Sequence, residues 1–220
     1  MTITRYVPEA SASVRSCFRS AVDGFAELVS SVPVSCLGKP ALGSWSVRDL
    51  IGHASRALST IENYCGRQAP GEHLSGPAAY FVAAGASALG SDARTHRDES
   101  IAERGKASGA ALGDDPASAV HVLARRVVSL VDSSGDQTPM ATAMGPMTLL
   151  GYLPTRTFEL AVHSLDLATA LRLATPAELE PAIAASLVLA AEVAAASSDA
   201  SHVLLALCGR RPLPASFTVV

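Results

Sequence analysis

A line of polar side chains runs along a stretch of the chain that is otherwise apolar, between Met147 and Leu171. Its members follow one another at steps of four, three, four and three residues: Tyr152, Arg156, Glu159, His163 and Asp166. On a helix this spacing places all five side chains on one face. The other faces carry mainly leucine, valine and phenylalanine, which predicts a buried helix. Because buried charges must be paired or must bind a metal ion, this face requires a partner.

A second segment, predicted to be helical from Trp45-Ser46 to Tyr64, offers that partner. Its polar residues follow the same steps: Asp49, His53, Arg56, Thr60 and Asn63. If the two faces meet, His53 can join Glu159 and His163 around one ion. Two imidazoles and one carboxylate form a ligand set of catalytic zinc sites and leave one position open. Zinc is the metal we expect, although the same ligands accept nickel or iron.

Two acids flank these candidate ligands. Asp49 and Asp166 are placed to accept a hydrogen bond from a ligand imidazole and so to fix its orientation. Plainer interpretations remain open, because a glutamate and a histidine one turn apart are far less specific than an H-E-x-x-H motif. His53 can be an ordinary core histidine. The arginines Arg56 and Arg156 can instead pair with Asp49, Glu159 and Asp166 in a buried network without metal.

The remaining pattern predicts more helices and no clear strand. Alanine and leucine, which dominate the apolar residues, favour helices. Ser46 with Asp49, and Asp115 with Pro116, have the residue types that begin helices. The helices are predicted at 8–29, 45–64, 77–112, 116–131, 147–171 and 176–196. We therefore expect an all-α protein, an antiparallel four-helix bundle over about 8–171 with a helical C-terminal extension over about 176–220, all in a single domain, 1–220.

Composition excludes several classes of function. The net charge is -3 and lysines and arginines do not cluster, which argues against nucleic-acid binding. The stretches without charge contain proline and glycine, so we expect no membrane span. The four cysteines form no C-x-x-C pair, and no signal peptide is recognised, so we expect a cytoplasmic protein. A chain of 220 residues folds without metal, and an ion would therefore serve function rather than folding.

Both polar segments resemble a known family. The segment from Trp45 to Arg56 resembles the W-[ST]-V-x-D-L-x-x-H motif of DinB-like helical bundles, in particular the amino-terminal domain of the mycothiol-dependent maleylpyruvate isomerases. The segment from Arg156 to Asp166 resembles the second motif of that family, R-x-x-E-x-x-x-H-x-x-D. The resemblance implies zinc bound by His53, Glu159 and His163, and mycothiol as cofactor in an actinobacterial host. The isomerase has a separate αβ domain, whereas here an alanine-rich helix and a short tail follow.

The expected function is that of a metal-dependent transferase or isomerase that activates a small thiol. A thiol at the open metal position would lose its proton and become a nucleophile. Arg56, Tyr152 and Arg156 would orient an acidic or carbonyl substrate. The expected partners are therefore a small-molecule thiol and an electrophilic substrate, and a homodimer is left open. Two alternatives stand beside this hypothesis: a metal-dependent hydrolase that activates water, and a binding protein without catalysis.

Overall fold

The computed structural model of the chain describes residues 11–86, 91–215 and 217–219. In this part of the chain the helices are α1 (Ser11–Ser30), α2 (Val47–Tyr64), α3 (Pro77–Ala86), α4 (Ser91–Ala111), α5 (Pro116–Ser133), α6 (Leu149–Leu171), α7 (Glu180–Ala195) and α8 (Ala200–Leu207). Short 3-10 turns lie at Val34–Cys36 and Ala177–Leu179. The predicted start of the first helix, at residue 8, lies outside the described residues.

Four of these helices form a closed ring around the core. α1 contacts α6 and α5, and α2 contacts the same two helices, so that the order around the ring is α1, α6, α2 and α5. α4 packs on the outer side of α2, while α7 packs on α6 and α1. The all-α class predicted from the sequence is confirmed. No helix among the described residues combines the length and the apolar character that crossing a membrane requires.

Two small hairpins precede the two polar helices. β1 (Pro40–Leu42) pairs with β2 (Trp45–Ser46), and β3 (Pro139–Thr142) pairs with β4 (Gly145–Thr148), both antiparallel. The sequence predicted loops here, because strands of two to four residues are too short to show alternation. α6 begins at Leu149 rather than at Met147, since Met147 is paired with Met140 in the second hairpin.

Each hairpin ends on the residue that caps the next helix. Ser46 ends β2 and caps α2, where its side chain and that of Asp49 form the predicted capping arrangement. Thr148 ends β4 and caps α6 by accepting a hydrogen bond from the Gly151 amide. β1 in turn contacts α6, and β3 contacts α2. The starting points of both polar helices are therefore fixed by the chain immediately before them.

α2 and α4 cross at two glycines. A Cβ atom on Gly52 would lie 2.1 Å from the backbone nitrogen of Gly109, a distance that no side chain tolerates. The helices can approach this closely only because neither residue has a side chain at the crossing. α4 brings a third glycine, Gly105, against the indole ring of Trp45. This crossing places α4 beside the first turns of α2.

Candidate metal centre

His53, Glu159 and His163 meet between α2 and α6. One donor atom of each lies within 4.8 Å of the other two. The His163 Nε2 is 3.4 Å from the Glu159 Oε2, and the two imidazole rings are 4.8 Å apart and nearly perpendicular. Donors at about 2.1 Å from one ion in a tetrahedral site are about 3.4 Å apart, so the longest of the three separations would shorten by up to about 1.4 Å. The two polar faces predicted from the sequence do meet.

The pairing across the two helices shows their relative direction. His53 faces His163, and further along α2 the Thr60 hydroxyl accepts a hydrogen bond from the Tyr152 hydroxyl, at 3.2 Å. Residue numbers therefore rise along α2 while they fall along α6, and the helices run antiparallel. Asn63, the last polar residue of the α2 pattern, is exposed and lies away from this contact.

The two candidate ligands of α6 interact with each other and with Asp166 within one helix. The His163 Nδ1 lies 3.0 Å from the Asp166 Oδ2, so the ring presents its Nε2 towards Glu159. Burial would lower the pKa of His163, but its hydrogen bonds to Asp166 and Glu159 outweigh burial and raise it to about 9. Burial would raise the pKa of Glu159, yet the hydrogen bond from His163 and the charge of Arg156 hold it well below its ordinary value. Without metal these two side chains form an ion pair, and an ion bound here would displace the His163 proton.

His53 is in a different environment. Its Nδ1 is buried and has no hydrogen-bonding partner among the described residues. Its ring lies against the indole of Trp45, with the ring centres 4.4 Å apart and the planes tilted by 33°. Burial, followed by the charge of His163, lowers the pKa of His53 to about 4. Histidine binds metal as a neutral imidazole, the form that this environment favours, so the residues fit a divalent transition metal.

Asp49 forms no hydrogen bond with a candidate ligand in the described part of the chain, contrary to the expectation from the sequence. Its carboxylate accepts hydrogen bonds from the backbone nitrogen and the hydroxyl of Ser46, at 3.0 and 2.7 Å. Both bonds belong to the capping box at the start of α2, which occupies the carboxylate. Of the two acids predicted to orient a ligand, the described structure places Asp166 against an imidazole and Asp49 in a helix cap.

Arg156 lies one turn from Glu159 inside a group of aromatic rings. Its guanidinium carbon is 4.7 Å from the ring centre of Tyr152 and 5.4 Å from that of Tyr80. Its Nε donates a hydrogen bond to the Thr155 hydroxyl at 3.0 Å, and its Nη2 lies 3.9 Å from the Glu159 carboxylate. Cation–π contacts of this kind stabilise a desolvated guanidinium. Arg156 therefore holds a buried positive charge beside the candidate ligands.

Tyr152 lies behind this arginine rather than at the ligands. It is 0% exposed, and its hydroxyl is bonded to Thr60. Burial raises its pKa well above the ordinary value, so the phenol stays neutral. In the closed bundle Tyr152 supports Arg156, and the substrate contact predicted from the sequence would require the phenol to become exposed. Sequence reasoning missed Tyr80, on α3, because no spacing links α3 to α6.

The metal-free network considered as an alternative is only partly present. Among the described residues, Arg156 and Glu159 approach as an ion pair at 3.9 Å, whereas Arg56 and Asp49 do not form one with each other. Arg56 is half-buried on α2, and its charge contributes to the lowered pKa of His53. The charge of Arg104, on α4, acts in the same direction. Positive charge therefore approaches the candidate ligands from three helices.

The fold is an α-helical bundle, and the two histidines and the glutamate between its helices are groups that can hold a metal ion. The family model of the mycothiol maleylpyruvate isomerase N-terminal domain matches residues 18–168. The chain belongs to this family, a mycothiol-related family of DinB-like, metal-binding enzymes. No curated protein and no solved structure matches the chain significantly.

Proposed function

We propose that the protein is a metal-dependent enzyme of the mycothiol-dependent transferase or isomerase type. The observation that carries this proposal is the meeting of His53, Glu159 and His163, together with a buried His53 nitrogen that has no partner among the described residues. Membership of the family supports mycothiol as the thiol. Zinc is the metal that this ligand set suits best.

Each residue of the proposed site would have a distinct role. His53, Glu159 and His163 would hold the ion, with Asp166 fixing the His163 ring through its Nδ1. A divalent ion supplies the positive charge that lowers the pKa of a thiol, which is ordinarily about 8.5. Arg156 and Arg56 supply the charge that attracts an acidic or carbonyl group of an electrophilic substrate.

A thermal-shift titration with mycothiol tests this function. Zinc-loaded protein should gain stability with rising mycothiol, because a ligand that binds only the native state stabilises it. Metal-free protein and the His163→Ala variant should gain much less. His73→Ala, which removes an exposed histidine, is the matched control and should behave like the wild type.

Each outcome of that titration separates the candidate functions. Equal shifts with and without metal would mean that the thiol does not use the ion, which contradicts the proposal. No shift in either form would favour the hydrolase or the binding protein. Turnover of a thiol with an electrophile then separates an enzyme from a binding protein.

A further inference from the structure

The two candidate histidine ligands are oriented in different ways. His163 has a hydrogen-bonded acid behind it, because Asp166 lies 3.0 Å from its Nδ1. No acid among the described residues is hydrogen-bonded to His53, and its buried Nδ1 has no hydrogen-bonding partner there. A ligand imidazole needs some contact that fixes its ring plane. For His53 the contact that the described residues provide is ring packing.

Trp45 supplies the packing. Its indole ring lies 4.4 Å from the His53 ring, centre to centre, and the residue is only 8% exposed. The backbone at Trp45 is fixed because the next residue, Ser46, caps α2. The position of the indole is therefore determined at the point where α2 begins.

α4 holds the other side of the same indole. The Trp45 Nε1 donates a hydrogen bond to the Ala102 carbonyl at 3.2 Å. A Cβ atom on Gly105 would lie 2.9 Å from the Cε2 and Nε1 atoms of the indole, so the ring fits against bare backbone. α4 itself is held on α2 by the close crossing of Gly52 and Gly109.

We infer that Trp45 is the positioning residue of His53, through which α4 sets the orientation of the ligand that α2 contributes. The inference rests on the proposed metal site. It assigns to a packed indole the task that a hydrogen-bonded carboxylate performs for His163. Trp45 itself offers no ligand atom.

Cobalt binding measures this role without any activity assay. The Kd for Co²⁺ is determined by competition with a chromophoric chelator, and the visible spectrum of the bound ion reports ligand geometry. Trp45→Leu should raise the Kd by about 10–100-fold, the usual effect of losing a contact that orients a ligand. Trp45→Phe keeps an aromatic ring and should restore much of the affinity. Gly105→Ala, which displaces the indole from α4, should raise the Kd and change the spectrum.

The control is a buried aromatic residue on α1, a helix that contributes none of the candidate ligands. Phe18→Leu removes a ring of α1 that is 1% exposed, and it should leave the Kd within about threefold of the wild type. An unchanged Kd in Trp45→Leu, or an equal loss in Phe18→Leu, overturns the inference. If Trp45→Leu does not fold, an unchanged Kd and spectrum in both Trp45→Phe and Gly105→Ala overturn it. Wild-type affinity in His163→Ala would instead refute the proposed metal site itself.

Discussion

On α6, Glu159, His163 and Asp166 come from successive turns of one helix. On α2, the ring of His53 instead packs against the indole of Trp45. The α6 side is arranged by local spacing, since any helix with this sequence brings the three side chains together. The α2 side depends on contacts with α4, through Trp45 and the glycine crossing. Two of the three candidate ligands are therefore arranged by local structure, and the third by tertiary contacts.

Removal of a ligand should have the largest effect on both sides. His53→Ala and His163→Ala should each reduce zinc content from about one ion per chain to a small fraction, because one of three protein ligands is lost. Elemental analysis of the purified proteins measures this. His202→Ala removes an exposed histidine of α8 and should keep full occupancy. Full zinc occupancy in both His53→Ala and His163→Ala would show that neither histidine is a ligand. The comparison between the α6 and α2 parts of the site would then no longer apply.

Gly52→Ala disturbs only the packing of α4 on α2, on which the position of His53 depends. Its Cβ atom would collide with the backbone of α4, and overpacking costs about 1–3 kcal/mol or more. We expect the melting temperature to fall by roughly 5–10 °C and cobalt affinity to fall with it. Gly38→Ala is the control, since no atom lies within 4 Å of a Cβ there. A variant with unchanged melting would show that the two helices do not cross this closely.

Asp166→Asn tests the contacts that are made within α6. The asparagine keeps the shape of the side chain but not its charge, so His163 loses the acid that orients it. Metal affinity should fall by about 10-fold, with little change in melting temperature. Chelator competition measures the affinity. An effect larger than that of His163→Ala would contradict the assignment of His163 as a ligand.

In the metal-free protein, lowering the pH should show how the burial of His53 affects stability. The folded pKa of His53, about 4, lies below its ordinary value of 6.5. The unfolded chain therefore takes up this proton first, and the stability that neutral His53 contributes is lost as the pH falls from about 6.5 towards 4. His53→Gln should melt at a temperature that depends less on pH over this interval. An identical pH dependence in the two proteins would mean that His53 is not desolvated.

The α6 side could be predicted from the sequence because a helical repeat is readable in one segment. The same reasoning located His53, the caps of α2 and α5, and the buried helix around residue 160. It could not place Trp45 on His53 or Tyr80 beside Arg156, because these contacts join helices that are distant in the chain. The apolar repeat of α4 is weak. The crossing of α2 and α4 is made by Gly52 and Gly109, and an apolar repeat does not reveal glycine contacts. The hairpins were missed because they are short.

His53 and His163 are separated by half of the 220 residues. At about 5–20 residues per second, the ribosome makes His163 roughly 5–20 seconds after His53. During that interval the nascent chain presents one of the three candidate ligands, and a single imidazole holds an ion weakly. A metal bound by all three side chains can therefore be acquired only after α6 has been synthesised and has closed against α2. If the proposed site holds an ion, metal loading is a late step of biogenesis, and the early helices find their places without it.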